Sequence, residues 1–237
     1  YAIVQFITWR KLKKKQTEHD TEMKYQQSEY KALNALMNPH FIFNSLNNIQ
    51  SLINKDSKET ANQYLVIFSK LVRQNMINIS KGFISLHQEL HLVDNYLNLQ
   101  KLRFKDLITF SINVDEAVET EDFMIPPLLI QPLVENAIIH GLLPMQSKNS
   151  YVTIDIYEAN NILNIDVSDN GIGIAQSLKR KKEAGDSYGL QNLNRRIEHL
   201  KKFQNREIKF DICEILDEAG NTLGTKASIK MNYNEDQ

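Results

Sequence analysis

Four short runs of this chain carry residue types that could do chemistry. The first is Asn38-Pro-His40-Phe-Ile-Phe-Asn44. An imidazole with an ordinary pKa of ~6.5 is largely neutral at pH 7 and keeps a free lone pair, which makes it a competent nucleophile toward a phosphoryl group. Pro39 removes a backbone donor and crowds the turn before it, so a helix running through it should bend and leave the ring accessible. Asn44 could orient the ring, a phosphoryl oxygen or a water. A plain surface histidine beside a proline kink would look the same.

The second run is Gln131-Pro-Leu-Val-Glu135-Asn136-Ala-Ile-Ile-His140-Gly141. Asn136 and His140 stand four apart and share a helix face, away from Leu129, Leu133 and Ala137. An amide oxygen is a suitable hard ligand for Mg²⁺; an asparagine that only satisfies nearby backbone is the alternative. The third run, Asp169-Asn-Gly171-Ile-Gly173-Ile174, follows a strand directly. An aspartate there can accept a hydrogen bond from an exocyclic amine such as adenine's, and the glycines let backbone approach a flat ring. A dinucleotide-binding GxGxxG is the competing reading. It fails because Gln176 holds the third glycine position and no helix is evident after Gly171.

The fourth run is Ser187-Tyr-Gly189-Leu190-Gln-Asn192, ahead of Leu193, Ile197 and Leu200 at helical spacing. A glycine before a helix N-terminus exposes N–H groups to phosphate. Between the third and fourth runs, Ala175 to Asp186 is polar and lysine-rich, and reads as a mobile lid over a polyanion or as a plain solvated loop. His87-Gln-Glu-Leu-His91 imitates a zinc helix, but the metalloprotease pattern needs glutamate where Gln88 stands.

These runs need elements to position them. Before residue 105 the chain has no strand-like alternation. Residues 10–56 read as one long helix in which Ile42, Leu46, Ile49 and Ile53 keep an a/d rhythm. That register, extended backwards, turns His40 and Asn44 away from the seam. Asn54-Lys-Asp-Ser57 supplies a turn and an N-cap. Residues 58–79 form a second helix, with Ala61, Leu65, Phe68, Leu71 or Val72, and Ile79 on its seam. Two such helices make a hairpin that cannot enclose its seam, so a second copy is expected to complete a four-helix bundle. Gly82 breaks the pattern, and 86–104 is a third helix with Leu86, Leu90, Val93 and Leu97 on one side.

After residue 105 the period becomes two. Leu107–Val114, Val152–Ile156, Leu163–Val167, Ile208–Ile212 and Ala227–Met231 read as half-buried strands, with helices at 127–141 and 189–203. The order is not a βαβ alternation, so the fold class is α+β: a helical hairpin followed by a mixed sheet with helices on one face.

Composition narrows the function. The 28 basic and 29 acidic residues leave a net charge of −1, so no global basic field exists for gripping nucleic acid. A single cysteine, Cys213, excludes a disulfide framework and any multi-cysteine metal site. A chain opening on Tyr1 is expected to be part of a longer protein. Its apolar first nine residues end in Trp9 and run into Arg10-Lys-Leu-Lys-Lys-Lys15, the way a membrane helix leaves on the cytoplasmic side. The expectation is the cytoplasmic portion of a cytoplasmic-membrane protein.

The order of the four runs resembles a sensor histidine kinase. Pro39-His-Phe-Ile-Phe-Asn-Ser-Leu-Asn47, Ile125-Pro-Pro-Leu-Leu-Ile-Gln-Pro-Leu-Val-Glu-Asn136 and Tyr96-Leu-Asn-Leu-Gln-Lys-Leu-Arg-Phe104 resemble the LytS-type subgroup in particular. The resemblance implies a membrane end and basic segment over 1–15 and a dimerisation and phosphotransfer hairpin over 16–82. A linker helix over 83–104 and a Bergerat-type ATP-binding domain over 105–237 follow. It makes His40 the phosphoacceptor, Asn136 the Mg²⁺ ligand and Asp169 the adenine contact. Gly171 and Gly173 become the first glycine box; Gly189, with Leu190 and Asn192, belongs to the second. ATP and Mg²⁺ are the implied cofactors. A homodimer and a response regulator receiver domain, often with a LytTR DNA-binding output, are the implied partners.

Three departures qualify the resemblance. Ser187 replaces the glycine that usually opens the second box. Ile139 replaces a lysine found in many relatives, a role that His140 or a lid lysine could take. Phe41 follows the phosphoacceptor where many other histidine kinases carry an acid, which leaves the general base open; Glu135 is a candidate by proximity to Asn136. Two rival readings stand beside the kinase: an ATPase of the same superfamily with no use for His40, and a degenerate dimerisation module.

Overall fold

The computed structural model describes residues 13, 39–55, 57–104, 107–145, 147, 149–184, 197–198 and 208–232, with backbone alone at 39–40 and 181–184. The chain divides into two compact units, Tyr1–Ile42 and Phe43–Gln237. The membrane end and most of the expected long helix lie outside the described residues. Among those described, no helix is long and apolar enough to cross a membrane.

Helix α1 spans Pro39–Asn54 and α2 spans Lys58–Lys81. Ser57 occupies the N-cap position of α2 as expected, but its side chain makes no cap hydrogen bond; the Ser57 N–H instead donates to the Leu52 carbonyl, 3.0 Å away. Gly82 ends α2 at φ +78°, a conformation that disfavours any side chain. The buried stripe of α2 is Ala61, Tyr64, Phe68, Leu71 and Asn78. Tyr64 donates to Ser45 Oγ of α1 at 3.4 Å.

On a single chain the expected seam is only partly covered. Ser45 and Ile49 are buried on α1, but Leu46 is 48% and Ile53 53% exposed, and on α2 Leu65 is 44% exposed. Phe43 is exposed as well, while Asn44 is half-buried, not outward. One chain covers one side of each helix and leaves an apolar stripe uncovered.

Strand β1 (Ile84–Ser85) leads into α3 (Leu86–Phe104), which packs on α2. Leu86, Leu92, Val93, Tyr96, Leu97 and Leu99 are each at most 1% exposed. β1 pairs antiparallel with β3 (Met124–Ile125), joining Ile84 to Ile125 and Ser85 to Met124. The stitching continues past the strand: Leu86 N–H donates to the Phe123 carbonyl at 2.8 Å and His87 N–H to the Thr120 carbonyl at 2.9 Å.

The main sheet has five strands: β2 (Ile108–Val114), β4 (Ser150–Ala159), β5 (Ile162–Asp169), β6 (Ile208–Leu216) and β7 (Thr222–Asn232). Their order is β2-β4-β5-β7-β6. β2 and β4 are parallel and every other pair is antiparallel, so the sheet is mixed. Val152, Ile154, Ile156, Leu163, Ile165, Val167, Ala227, Ile229 and Met231 bury one face, the alternation their period dictates. Each of these side chains larger than alanine contributes about 1.5–3 kcal/mol by leaving water.

On that face lies the segment expected as a helix over 127–141. Only α4, Gln131–Asn136, is α-helical. Ala137–Leu142 is a π turn and Leu143–Met145 a 3₁₀ turn. A second correction concerns Ala175 to Asp186, expected as a lid or a plain loop: its described residues, to Ala184, belong to a helix, α5 (Ile174–Ala184), which excludes the plain loop. Its lysines, arginine and alanines are good helix formers, and Glu214 of β6 accepts the Ala175 N–H at 2.9 Å. A helix therefore does follow Gly171, and the dinucleotide reading fails on Gln176 and on the antiparallel pairing of β5 with both its neighbours.

Candidate functional site

Asp169 is the last residue of β5, and the sheet brings its neighbours to it. Thr225 of β7 is its cross-strand partner. The carboxylate is 3% exposed and accepts the Gly171 N–H at Oδ1, 2.8 Å away. Burial pushes the Asp169 carboxyl up to about 6 from an ordinary 3.8, against the pull of backbone N–H bonds from Gly171 and Thr225. The group is held ready for a further donor, since a hydrogen bond to the ionised form would lower its energy.

The π turn supplies the other wall. Gly141 lies at its end, and its carbonyl accepts the Ile172 N–H at 3.1 Å. A Cβ on Gly141 would fall 2.7 Å from Asp169 Oδ1. A Cβ on Gly171 would fall 2.6 Å from the same oxygen and would collide with the Gly141 backbone. The crowding at these glycines comes from protein atoms, whereas the sequence suggested clearance for a ring. Gly173, at φ +78°, has no room for a Cβ beside Thr222 and Glu214. Gly224 of β7 similarly abuts the Asp169 carbonyl.

Asn136 closes α4 one wide turn before Gly141, so one short segment presents Asn136, His140 and Gly141 in succession. Asn136, His140 and Glu135 are all half-buried. Glu135 lies near α3: burial pushes the Tyr96 phenol well up, and the Glu135 charge adds to that shift. Insertions of the π type recur at functional sites because they re-aim side chains at the end of a helix.

Asn170 braces the corner. Its Oδ1 accepts the Tyr151 N–H at 2.9 Å and its Nδ2 donates to the Asn149 carbonyl at 2.7 Å.

The structure thus brings Gly141, Asp169 and Gly171 together; Asn136 and His140 lie on the segment that leads into Gly141, and Gly173 packs against Thr222 and Glu214. His40 stands in the first turn of α1, and its side chain lies outside the described residues. Gly189, Leu190 and Asn192 lie outside them too. Gly141, Gly224 and Thr225 were not singled out from the sequence. For Gly141 a signal existed, a glycine directly after a helical histidine; for Gly224 and Thr225 only the strand register reveals the contact.

Mg²⁺ fits this donor set. It commonly takes one or two protein ligands and completes its shell with substrate phosphates and waters, and Asn136 offers one hard oxygen. No cluster of three or more His, Cys, Asp or Glu that could hold a metal occurs among the described residues. A separate cavity of about 1070 Å³, lined by Asn48, Lys55, Asn62, Asn98 and Arg103 among others, takes no residue from α4 or β5.

Residues 28–108 match the family model described as histidine kinase. The chain is 38% identical over 177 residues to the sensor histidine kinase YpdA of Escherichia coli, covering 73% of this chain and 30% of that protein. It is 37% identical over 180 residues to the sensor protein LytS of Staphylococcus saprophyticus, with the same coverage. It therefore spans about three tenths of the length of these curated relatives. A looser likeness links it to the catalytic domain of histidine kinase ThkA, at 16% identity and a TM-score of 0.43 over 64% of this chain and 95% of that one.

Proposed function

This chain belongs to the LytS-type sensor histidine kinases, and on that premise we propose that it transfers the γ-phosphoryl group of ATP to His40. The observation that carries the reading is the buried Asp169 carboxylate, raised to about 6 and walled by Gly141 and Gly171. That is an acceptor suited to the exocyclic amine of adenine. Asn136 would hold Mg²⁺, and His140, four residues on, would lie on the phosphate side. The metal, when bound, neutralises phosphate charge.

In this reading a lone pair of the neutral His40 ring attacks the γ-phosphorus. The bond from that phosphorus to the β,γ-bridging oxygen breaks, and ADP leaves with the electron pair. The reaction depends on positioning and charge neutralisation more than on covalent chemistry by the protein. Glu135 is the candidate proton acceptor. The family resemblance assigns phosphate binding to Gly189, Leu190 and Asn192 as well. The phosphoryl group then passes to an aspartate of a response regulator receiver domain, possibly one with a LytTR output. Asn44 is assigned to positioning water or phosphoryl oxygen beside His40. The exposed stripe of α1 and α2 pairs two copies, and the amino-terminal segment tethers the kinase to the cytoplasmic face of a membrane.

The test is incubation with radiolabelled ATP and Mg²⁺, beside His40→Ala and Asn136→Ala. Acid-labile, base-stable label on the wild type and on neither variant is expected. Undiminished ATP turnover by His40→Ala would favour the ATPase reading. Absence of nucleotide binding by calorimetry would favour a non-catalytic dimerisation module.

A further inference from the structure

Glu89, in the first turn of α3, is 0% exposed. A carboxylate removed from water is costly unless it is hydrogen-bonded. Its two oxygens reach across to the segment that leads into α4: Oε2 accepts the Leu128 N–H at 2.8 Å, and Oε1 accepts the Ile130 N–H at 3.0 Å. Ile130 is the N-cap position of α4. Leu128 holds φ +56°, the left-handed region, which a leucine adopts only when its surroundings impose it. The grip therefore fixes a strained turn at the head of the helix that ends in Asn136.

Other contacts make the attachment stiff. The β1–β3 pairing and the Leu86 and His87 N–H bonds lock the start of α3 to residues 120–125. From α2, Asn75 Nδ2 reaches Gln131 Oε1 at 3.5 Å, on the first residue of α4. The helices that follow the phosphoacceptor thus hold α4 at its head.

We infer that Glu89 is a positioning residue for the nucleotide site: its clamp on Leu128 and Ile130 sets where α4 presents Asn136 to the metal–phosphate group. The inference rests on the reading of Asn136 as the Mg²⁺ ligand. Groups that orient a metal ligand characteristically change metal affinity by 10- to 100-fold when removed. Glu89→Gln keeps the shape but sets an amide N–H against one of the two backbone donors.

The experiment is calorimetry of ADP binding to the full chain, with and without Mg²⁺. The proteins compared are wild type, Glu89→Gln, Asn136→Ala and Val93→Ala, the last removing buried apolar volume from the same helix. Glu89→Gln is expected to lose about tenfold or more in affinity for ADP with Mg²⁺ and little for ADP alone. Val93→Ala, matched for loss of Tm, is expected to show no such selectivity. Wild-type Mg²⁺ dependence in Glu89→Gln, or an equal selective loss in Val93→Ala, overturns the proposal. Unchanged Mg²⁺ dependence in Asn136→Ala overturns the reading of Asn136 and the proposal with it. If Glu89→Gln does not fold, amide exchange in the wild type decides. The Leu128 and Ile130 amides should be better protected with ADP and Mg²⁺ than with ADP alone, and equal protection overturns the proposal.

Discussion

The Asp169 carboxylate occupies the space that a side chain on Gly141 would need: a Cβ there would stand 2.7 Å from Oδ1. The wall of the site and its acceptor are therefore one packed unit. Gly141→Ala must displace the carboxylate or open the π turn. Overpacking of this kind costs about 1–3 kcal/mol, which urea unfolding would read. ADP affinity should fall at least tenfold by calorimetry; a variant that binds as the wild type does would show that Asp169 does not depend on Gly141.

The raised pKa of Asp169 gives a pH dependence with a definite sign. Its folded value, about 6, exceeds the ordinary 3.8. Its contribution to stability is thus fully present below about 3.8 and is lost as pH rises through about 6. An adenine amine donating to the carboxylate favours the ionised form, so nucleotide binding should expel a proton near pH 6 and weaken below it. Calorimetry in two buffers of different ionisation enthalpy would measure the proton release. Asp169→Asn should abolish it.

On the other face of the sheet, Lys226 Nζ stands 2.8 Å from the buried Asp166 carboxylate, and the Tyr157 hydroxyl donates to the same oxygen at 3.1 Å. Burial alone would raise Asp166, but bonds from Lys226, Ser228 and Tyr157 together hold it below the usual carboxylate range. The stability from this group is present above pH 3.8 and is lost as pH falls through its depressed value. Lys226→Met leaves the charge without its cation. Discounted for the partial exposure of Lys226, the expected loss is about 1–2 kcal/mol at pH 7. Urea unfolding across pH 3 to 7 would show it, and unchanged stability at pH 7 would refute it.

Phe43, Leu46 and Ile53 of α1 and Leu65 and Met76 of α2 are exposed apolar residues that a second hairpin would cover. Leu46→Glu should raise the dissociation constant of the proposed dimer at least tenfold, or ~1.4 kcal/mol. Helix content should be unchanged, because Leu46 is on the exposed side. Analytical ultracentrifugation reads the outcome, and an intact dimer would place the interface elsewhere.

Local pattern is enough for the five strands of the main sheet and for the chemical inventory. Period-two runs such as Val152-Thr-Ile-Asp-Ile156 became strands because alternation admits one buried face. The run at Asp169 is modest by itself, and what gives it a reading is its place in the order of the four runs. Tertiary structure decided what depends on contacts between distant segments. On α1 the same chain covers Ser45, which Tyr64 of α2 reaches, and Ile49, and leaves Leu46 and Ile53 open; a heptad pattern cannot say which part of an apolar seam its own chain will cover. Residues 174–184 form a helix whose Ala175 N–H is taken by Glu214, 39 residues on in sequence, whereas polarity alone reads as a lid or a loop. The roles of Gly141, Gly224 and Glu89 arise where backbones converge. Local sequence carries no record of that convergence, because what matters there is the space a neighbouring strand or turn leaves.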